Sequence, residues 1–223
     1  MEKEDLINLS PVRVFDEAAK GGLKDGEMGL VTAKKGLGKT SVLVQFGIDS
    51  LLKNKPIVHV SFDQHSSNVI AWYDSIFAEV AKKKHIEIGA VAEEVVRDRI
   101  ILNFNQETFT LPKVVSTIKA LKDGGSKVST IVIDGLDLAK TSKSDFDSIA
   151  NFVSAEKMTA WFSYTNEAPA LKDQLEADKL ALFATVAHLA SNGSALQMSV
   201  LKCDGKESDS SLTIDSKTQL MTK

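Results

Sequence analysis

A single cysteine, Cys203, occurs in 223 residues, so no disulfide can close within the chain. That usage suits a reducing compartment. No apolar run approaches the ~20 residues that a membrane-spanning helix needs. The opening Met1-Glu2-Lys3-Glu4-Asp5 is acidic and has no apolar signal core. These absences predict a cytoplasmic protein with no membrane span. Charge of one sign is scarce too. The 27 basic and 30 acidic residues leave a net −3, which exerts no global attraction on nucleic acid or an anionic membrane. No repeat or low-complexity tract is evident, and His59, His65, His85 and His188 show no metal-ligand spacing. What remains is an ordinary globular composition, long enough for a substantial core. The expectation is one domain over residues 1–223.

Against this background one stretch stands out, Thr32-Ala33-Lys34-Lys35-Gly36-Leu37-Gly38-Lys39-Thr40-Ser41. It follows the apolar run Met28 to Val31 and precedes the helix-like Ser41 to Leu52. Strand, glycine-bearing loop and helix form the setting of a phosphate loop, the Walker A pattern G-x-x-x-x-G-K-[ST]. Only the first position departs from it, Ala33 standing for glycine, which costs something only if that residue needs a positive φ. Backbone N–H groups at a helix start converge on one point, and the helix dipole adds positive charge there. Gly36 and Gly38 let the backbone approach phosphate oxygens. Lys39 can reach the β- and γ-phosphates, and the Thr40 hydroxyl can ligate Mg²⁺. A nucleotide with Mg²⁺ is the expected ligand.

The rest of the chain alternates. Val12 to Lys20 reads as a short helix, and Gly21 to Gly26 as a turn into the first strand. Ile57 to Phe62 is a β-branched strand after Pro56, and Asn68 to Lys83 a helix with an aromatic stripe that belongs in the core. Val91, Val95 and Val96 suit a helix; Ile100 to Leu102 suits a strand. Leu111 to Leu121 is helical, Ser129 to Asp134 a buried parallel strand, Asp145 to Lys157 a helix and Thr159 to Tyr164 a strand. Leu182 to Ala190, Ala195 to Lys202 and Ser211 to Leu220 then follow as strands without helices between them. The predicted fold is α/β, a three-layer, mostly parallel sheet extended at one edge by C-terminal antiparallel hairpins.

Asp134 closes a central strand neighbouring the loop, where a carboxylate can hold the Mg²⁺ shell. It also reads as a cap on the turn Gly135-Leu136-Asp137. Hydrolysis needs a group that orients or deprotonates water, and strand ends supply such groups. Asp63 could serve as base and Gln64 could orient the water; equally, the two could open a helix capped by Ser66, Ser67 or Asn68.

Taken together, these residues resemble the ATPase core of the RecA superfamily, especially its KaiC-like branch and the DnaB-type helicases. The likeness runs from Ser10-Pro11 through Gly22 to Glu27, the phosphate loop, Val60 to Gln64 and Ile131 to Asp134, to Ser199 to Lys202. It implies that the nucleotide is ATP, that Lys34, Lys35, Gly36, Leu37, Gly38, Lys39, Thr40 and Ser41 cradle it, and that Thr40 and Asp134 hold the metal. It puts Asp63 and Gln64 in place of the family's acidic pair, and Thr165-Asn166 in place of a γ-phosphate sensor. Lys202 takes the place of a lysine that reaches the neighbouring subunit's nucleotide, which implies a homo-oligomer or a protein partner. Two departures weaken the chemistry. The acidic pair is reduced to one short carboxylate and an amide, and Asp204 stands where an arginine is expected. An arginine finger contributes several orders of magnitude to turnover, so hydrolysis should be slow or absent. The segment Glu167 to Asp178 is acidic, whereas a DNA-facing loop should be basic, which argues against nucleic acid.

A second resemblance links Lys34 and Lys39 to the paired lysines of ParA/MinD-type positioning ATPases. Those chains open almost directly on the loop strand, whereas about 30 residues precede it here, and Lys35 stands where they carry glycine. The two readings that follow are a weak regulatory ATPase and a non-catalytic, nucleotide-dependent interaction module.

Overall fold

The computed structural model describes residues 3–62, 64–84, 95–193 and 195–223. Its described elements, in chain order, are α1 (Lys3–Leu9), α2 (Val12–Ala18), β1 (Met28–Ala33), α3 (Lys39–Leu52), β2 (Ile57–Ser61), α4 (Ser66–Lys84) and β3 (Arg99–Asn103). They continue with α5 (Leu111–Asp123), β4 (Thr130–Asp134), α6 (Lys143–Ala155), β5 (Thr159–Thr165), α7 (Ala177–Leu180), β6 (Phe183–Asn192), β7 (Ala195–Cys203), β8 (Lys206–Ile214) and β9 (Met221–Thr222). All the strands join one sheet in the order β3-β2-β4-β5-β1-β6-β7-β8-β9. From β3 to β6 the pairings are parallel; β7, β8 and β9 add on antiparallel.

Burial explains this division. Every residue of β1, β2 and β4 is buried, as strands covered on both faces must be. Leu30, Ile133 and Phe162 turn to the face covered by α5 and α6, while Val31, Val132 and Trp161 turn to the face of α2 and α3. Helices therefore flank the sheet on both sides in three layers. α3 is buried from Ser41 to Leu52, so its polar residues need partners inside. Asp49 accepts two 2.6 Å bonds from Arg13 and pairs with Lys53 at 2.8 Å; Ser50 bonds Thr130 at 2.7 Å.

Several expected boundaries move. The helix expected to run to Lys20 stops at Ala18, because Lys20, Gly21 and Gly22 all take positive φ. The strand expected over Ser211 to Leu220 is corrected to Lys206–Ile214. Asp204 and Gly205, with φ of 50° and 74°, make a two-residue hairpin that starts β8 early. The strand ends where Asp215 Oδ1 accepts from the N–H groups of Lys217 and Thr218 and closes a turn. α1 has no counterpart in the sequence reading. Of the helix expected at Val91, Val95 and Val96, the last two are helical, while Val91, like His85, lies outside the described residues. Among the described residues no helix is long and apolar enough to cross a membrane.

One glycine is required by close approach. Trp161 stacks on Phe46 with centroids 4.0 Å apart, and Phe15 meets both edge-on. A Cβ on Gly29 would fall 2.4 Å from the Trp161 ring and 2.9 Å from Leu23. The ring is pinned by its neighbours and cannot yield. Gly29→Ala is expected to cost about 1–3 kcal/mol of stability, read as a lower urea midpoint at unchanged m-value.

Candidate nucleotide site

β1 ends at Ala33, and the chain passes through Lys34 to Gly38 into α3. Ala33 carries no positive φ, so the missing first glycine costs nothing. Gly36 and Gly38 do, at 87° and 91°, and their absence of side chain is a conformational requirement of the turn. Lys39 curls back over the loop, and its Nζ donates to the carbonyls of Ala33 at 3.1 Å and Lys34 at 3.3 Å. That ammonium therefore sits at the mouth of the loop, beside the N-terminus of α3. Lys34 and Lys35 are exposed, and Lys34 pairs with Glu167 at 3.7 Å. Leu37 is half-buried against the α2–α3 side of the core.

Asp134 is not on the strand next to β1; β5 lies between them. This corrects the expectation of a neighbouring strand. The gap, about 10 Å for two strand spacings, is spanned from the helix side. Thr40, in the first turn of α3, donates its hydroxyl to Asp134 Oδ2 at 2.7 Å. Gln64 donates Nε2 to the same Thr40 oxygen at 3.2 Å. Its own backbone is anchored: the amide donates to Ser61 Oγ at 3.1 Å, and the carbonyl accepts from Asn103 Nδ2 at 2.5 Å. Asp63 lies outside the described residues.

Other expected residues are placed elsewhere. The Ser41 side chain is buried and donates to the Gln219 carbonyl at 3.1 Å, leaving only its amide toward the loop. The Asn166 side chain folds the turn after β5, donating to the carbonyls of Asp173 and Gln174. Lys202 pairs across the sheet with Val186, which itself pairs with Leu30, three residues short of the loop. Its Nζ donates to the last carbonyl of α7, Leu180, at 3.2 Å, and burial lowers its pKa. The structure does not bring Lys202 to the loop of its own chain. Asp204 is ion-paired with Lys24. His59 and His188 are buried and His65 is exposed; among the described residues no three His, Cys, Asp or Glu side chains group for a metal. His188 Nδ1 bonds Thr32 Oγ1 at 2.8 Å under the loop, its pKa lowered by burial and by Lys39.

Three residues were missed in the sequence. Ser163, Asn103 and Gln219 all touch the site, and none carries a local signal, because each reaches it through register or a distant turn. A hollow of about 190 Å³ opens beside the loop, between Gly36, Leu37, Ser191, Leu196, Ser216 and Gln219.

A parallel sheet whose first strand feeds a phosphate loop, with a carboxylate strand two places away and antiparallel hairpins beyond, defines a RecA-superfamily P-loop ATPase. Residues 10–191 match the family described as "ATPase: KaiC", most of the chain, and the protein belongs to that family. It is a nucleotide-binding ATPase of the RecA-like type. A comparison with curated proteins found no match.

Proposed function

We propose that this chain, a single domain acting in the cytoplasm, binds ATP together with Mg²⁺ and hydrolyses it slowly, as a regulatory switch within an oligomer or with a protein partner. The observation that carries the reading is the 2.7 Å bond between Thr40 and Asp134. A hydroxyl and a single carboxylate are hard oxygen donors, and Mg²⁺ is typically held by one or two carboxylates plus substrate phosphates. The donor set fits. When bound, the cation would neutralise charge between the β- and γ-phosphates.

The protein's own groups do the rest. Amides of Gly36 to Ser41 and the Lys39 ammonium bind the phosphates. The nucleoside extends into the hollow lined by Leu37 and Gln219. Gln64 orients the attacking water, and Asp63, the preceding residue in the sequence, is the candidate base. Lys202 acts across a subunit boundary. Turnover is slow because Asp204 puts a negative charge where a cation would stabilise the transferring phosphoryl group. The acidic segment Glu167 to Asp178 speaks against nucleic acid as a partner.

A thermal-shift titration with ATP, ADP and GTP, with and without Mg²⁺, tests the binding. Ligand at 100 times its Kd stabilises by about 2.7 kcal/mol, which is roughly 5–10 °C in Tm for a chain of this size. No shift with any nucleotide would refute the reading. The intrachain engagement of Lys202 and Asp204 favours a second one, a nucleotide-dependent interaction module without hydrolysis. Phosphate release per subunit that rises with protein concentration separates the two, since a residue acting in trans needs a neighbour.

A further inference from the structure

Ser163 lies beside Asp134 on β5, one step past the Ile133–Phe162 pair, and both side chains are shut away from solvent, 1% and 3% exposed. Its hydroxyl has one proton to donate. The Gly135 N–H occupies its acceptor side at 2.9 Å, and its own proton goes to Asp134 Oδ1 at 2.5 Å. The hydroxyl rotor is thereby fixed from both ends. Asp134 Oδ2, in turn, accepts from Thr40 at 2.7 Å. The two carboxylate oxygens thus have unequal duties: one is held inside the sheet, and the other faces the phosphate loop.

We propose that Ser163 is a positioning residue that withholds Oδ1 of Asp134 and presents Oδ2 alone to the loop, so setting the site's choice of Mg²⁺ over Ca²⁺. The inference rests on the reading that this loop binds ATP with a divalent cation. Ca²⁺ accepts six to eight oxygens in flexible geometry and readily takes a carboxylate through both. Mg²⁺ demands near-octahedral geometry and is content with one carboxylate oxygen. Bidentate binding by Asp134 would require Oδ1 to leave Ser163. The Ser163 hydroxyl would then lose its acceptor in a buried setting, where a polar group without a partner costs about 1–3 kcal/mol. Groups that orient a metal ligand typically change metal affinity 10–100-fold when removed.

The test is binding of a fluorescent ATP analogue to the full chain while Mg²⁺ or Ca²⁺ is titrated. Half-saturating concentrations of the two cations are compared in the unaltered protein, Ser163→Ala and Ser163→Thr. In Ser163→Ala the Mg²⁺ requirement is expected to rise about 10–100-fold, with Ca²⁺ moving less, so that the preference for Mg²⁺ collapses. Ser163→Thr, which keeps the hydroxyl, is expected to retain the preference. Should the alanine variant fail to fold, Ser163→Cys, close in volume and a weak donor, is expected to show the same collapse. Parallel shifts for both cations, or an unchanged ratio, would overturn the role of Ser163 while leaving nucleotide binding standing. Failure of the unaltered chain to bind the analogue with either cation would instead remove the underlying reading, and this inference with it.

Discussion

Lys39→Ala is expected to weaken ATP binding about 100- to 1,000-fold while leaving the protein folded. The ammonium is poised over the loop by the carbonyls of Ala33 and Lys34, neutral acceptors that a phosphate would outcompete. Hydrogen bonds to a charged group are each worth about 1.5–3 kcal/mol, and contact with both β- and γ-phosphates makes two. Losing roughly 3–4 kcal/mol corresponds to that fall in affinity. The fold is insulated because β1 and α3 are held by their apolar faces, whereas this ammonium is only half-buried. Calorimetric titration with ATP and Mg²⁺, paired with a urea unfolding curve, reads both halves. Unchanged affinity would refute the phosphate assignment.

The second large effect is acid destabilisation through His59. This imidazole is fully enclosed in β2; its Nδ1 bonds Tyr73 Oη at 3.1 Å and its Nε2 has no partner. Burial, and to a lesser degree the nearby Arg99 cation, lower its pKa from 6.5 to about 3. At pH 5 the unfolded chain therefore binds a proton here that the folded chain refuses. Stability contributed by the neutral ring is complete above pH 6.5, declines as pH falls below it and levels off near pH 3. The slope from this residue alone is about 1.4 kcal/mol per pH unit, or roughly 5 kcal/mol across the window. Urea unfolding between pH 4 and 7 should show that slope in the unaltered chain and lose it in His59→Gln. Equal slopes would mean that His59 does not govern the acid limb.

How much of this could be read from the sequence depends on how far apart the cooperating atoms lie along the chain. The phosphate loop was legible because its working parts are consecutive, from Ala33 to Ser41, and the structure adds only that Ala33 needs no unusual φ. The parallel core is legible because β1, β2 and β4 are short, mostly apolar runs rich in β-branched residues and bounded by turn signals. What escaped depends on register. Ser163 meets Asp134 across 29 residues of chain, and nothing in either local pattern announces that adjacency. That β5 separates β1 from β4 was equally silent, since strand order is decided by how the crossover helices pack. The late strand, β8, is hidden for a simpler reason. The polar run Lys206 to Ser211 looks like a loop until Asp204-Gly205 is recognised as a complete hairpin turn. Asn166 shares only its position with a γ-phosphate sensor; its side-chain amide folds its own turn.

The turn at Gln219 has its own consequence. Its carbonyl accepts from both the Ser41 hydroxyl and the Gln45 side-chain amide, and Gln45 Oε1 accepts in turn from the Met221 N–H. The segment Gln219 to Met221 is thus clasped to α3, the helix that follows the glycine loop. Deleting residues 219–221 would strip partners from Ser41 and Gln45, two side chains enclosed next to that loop.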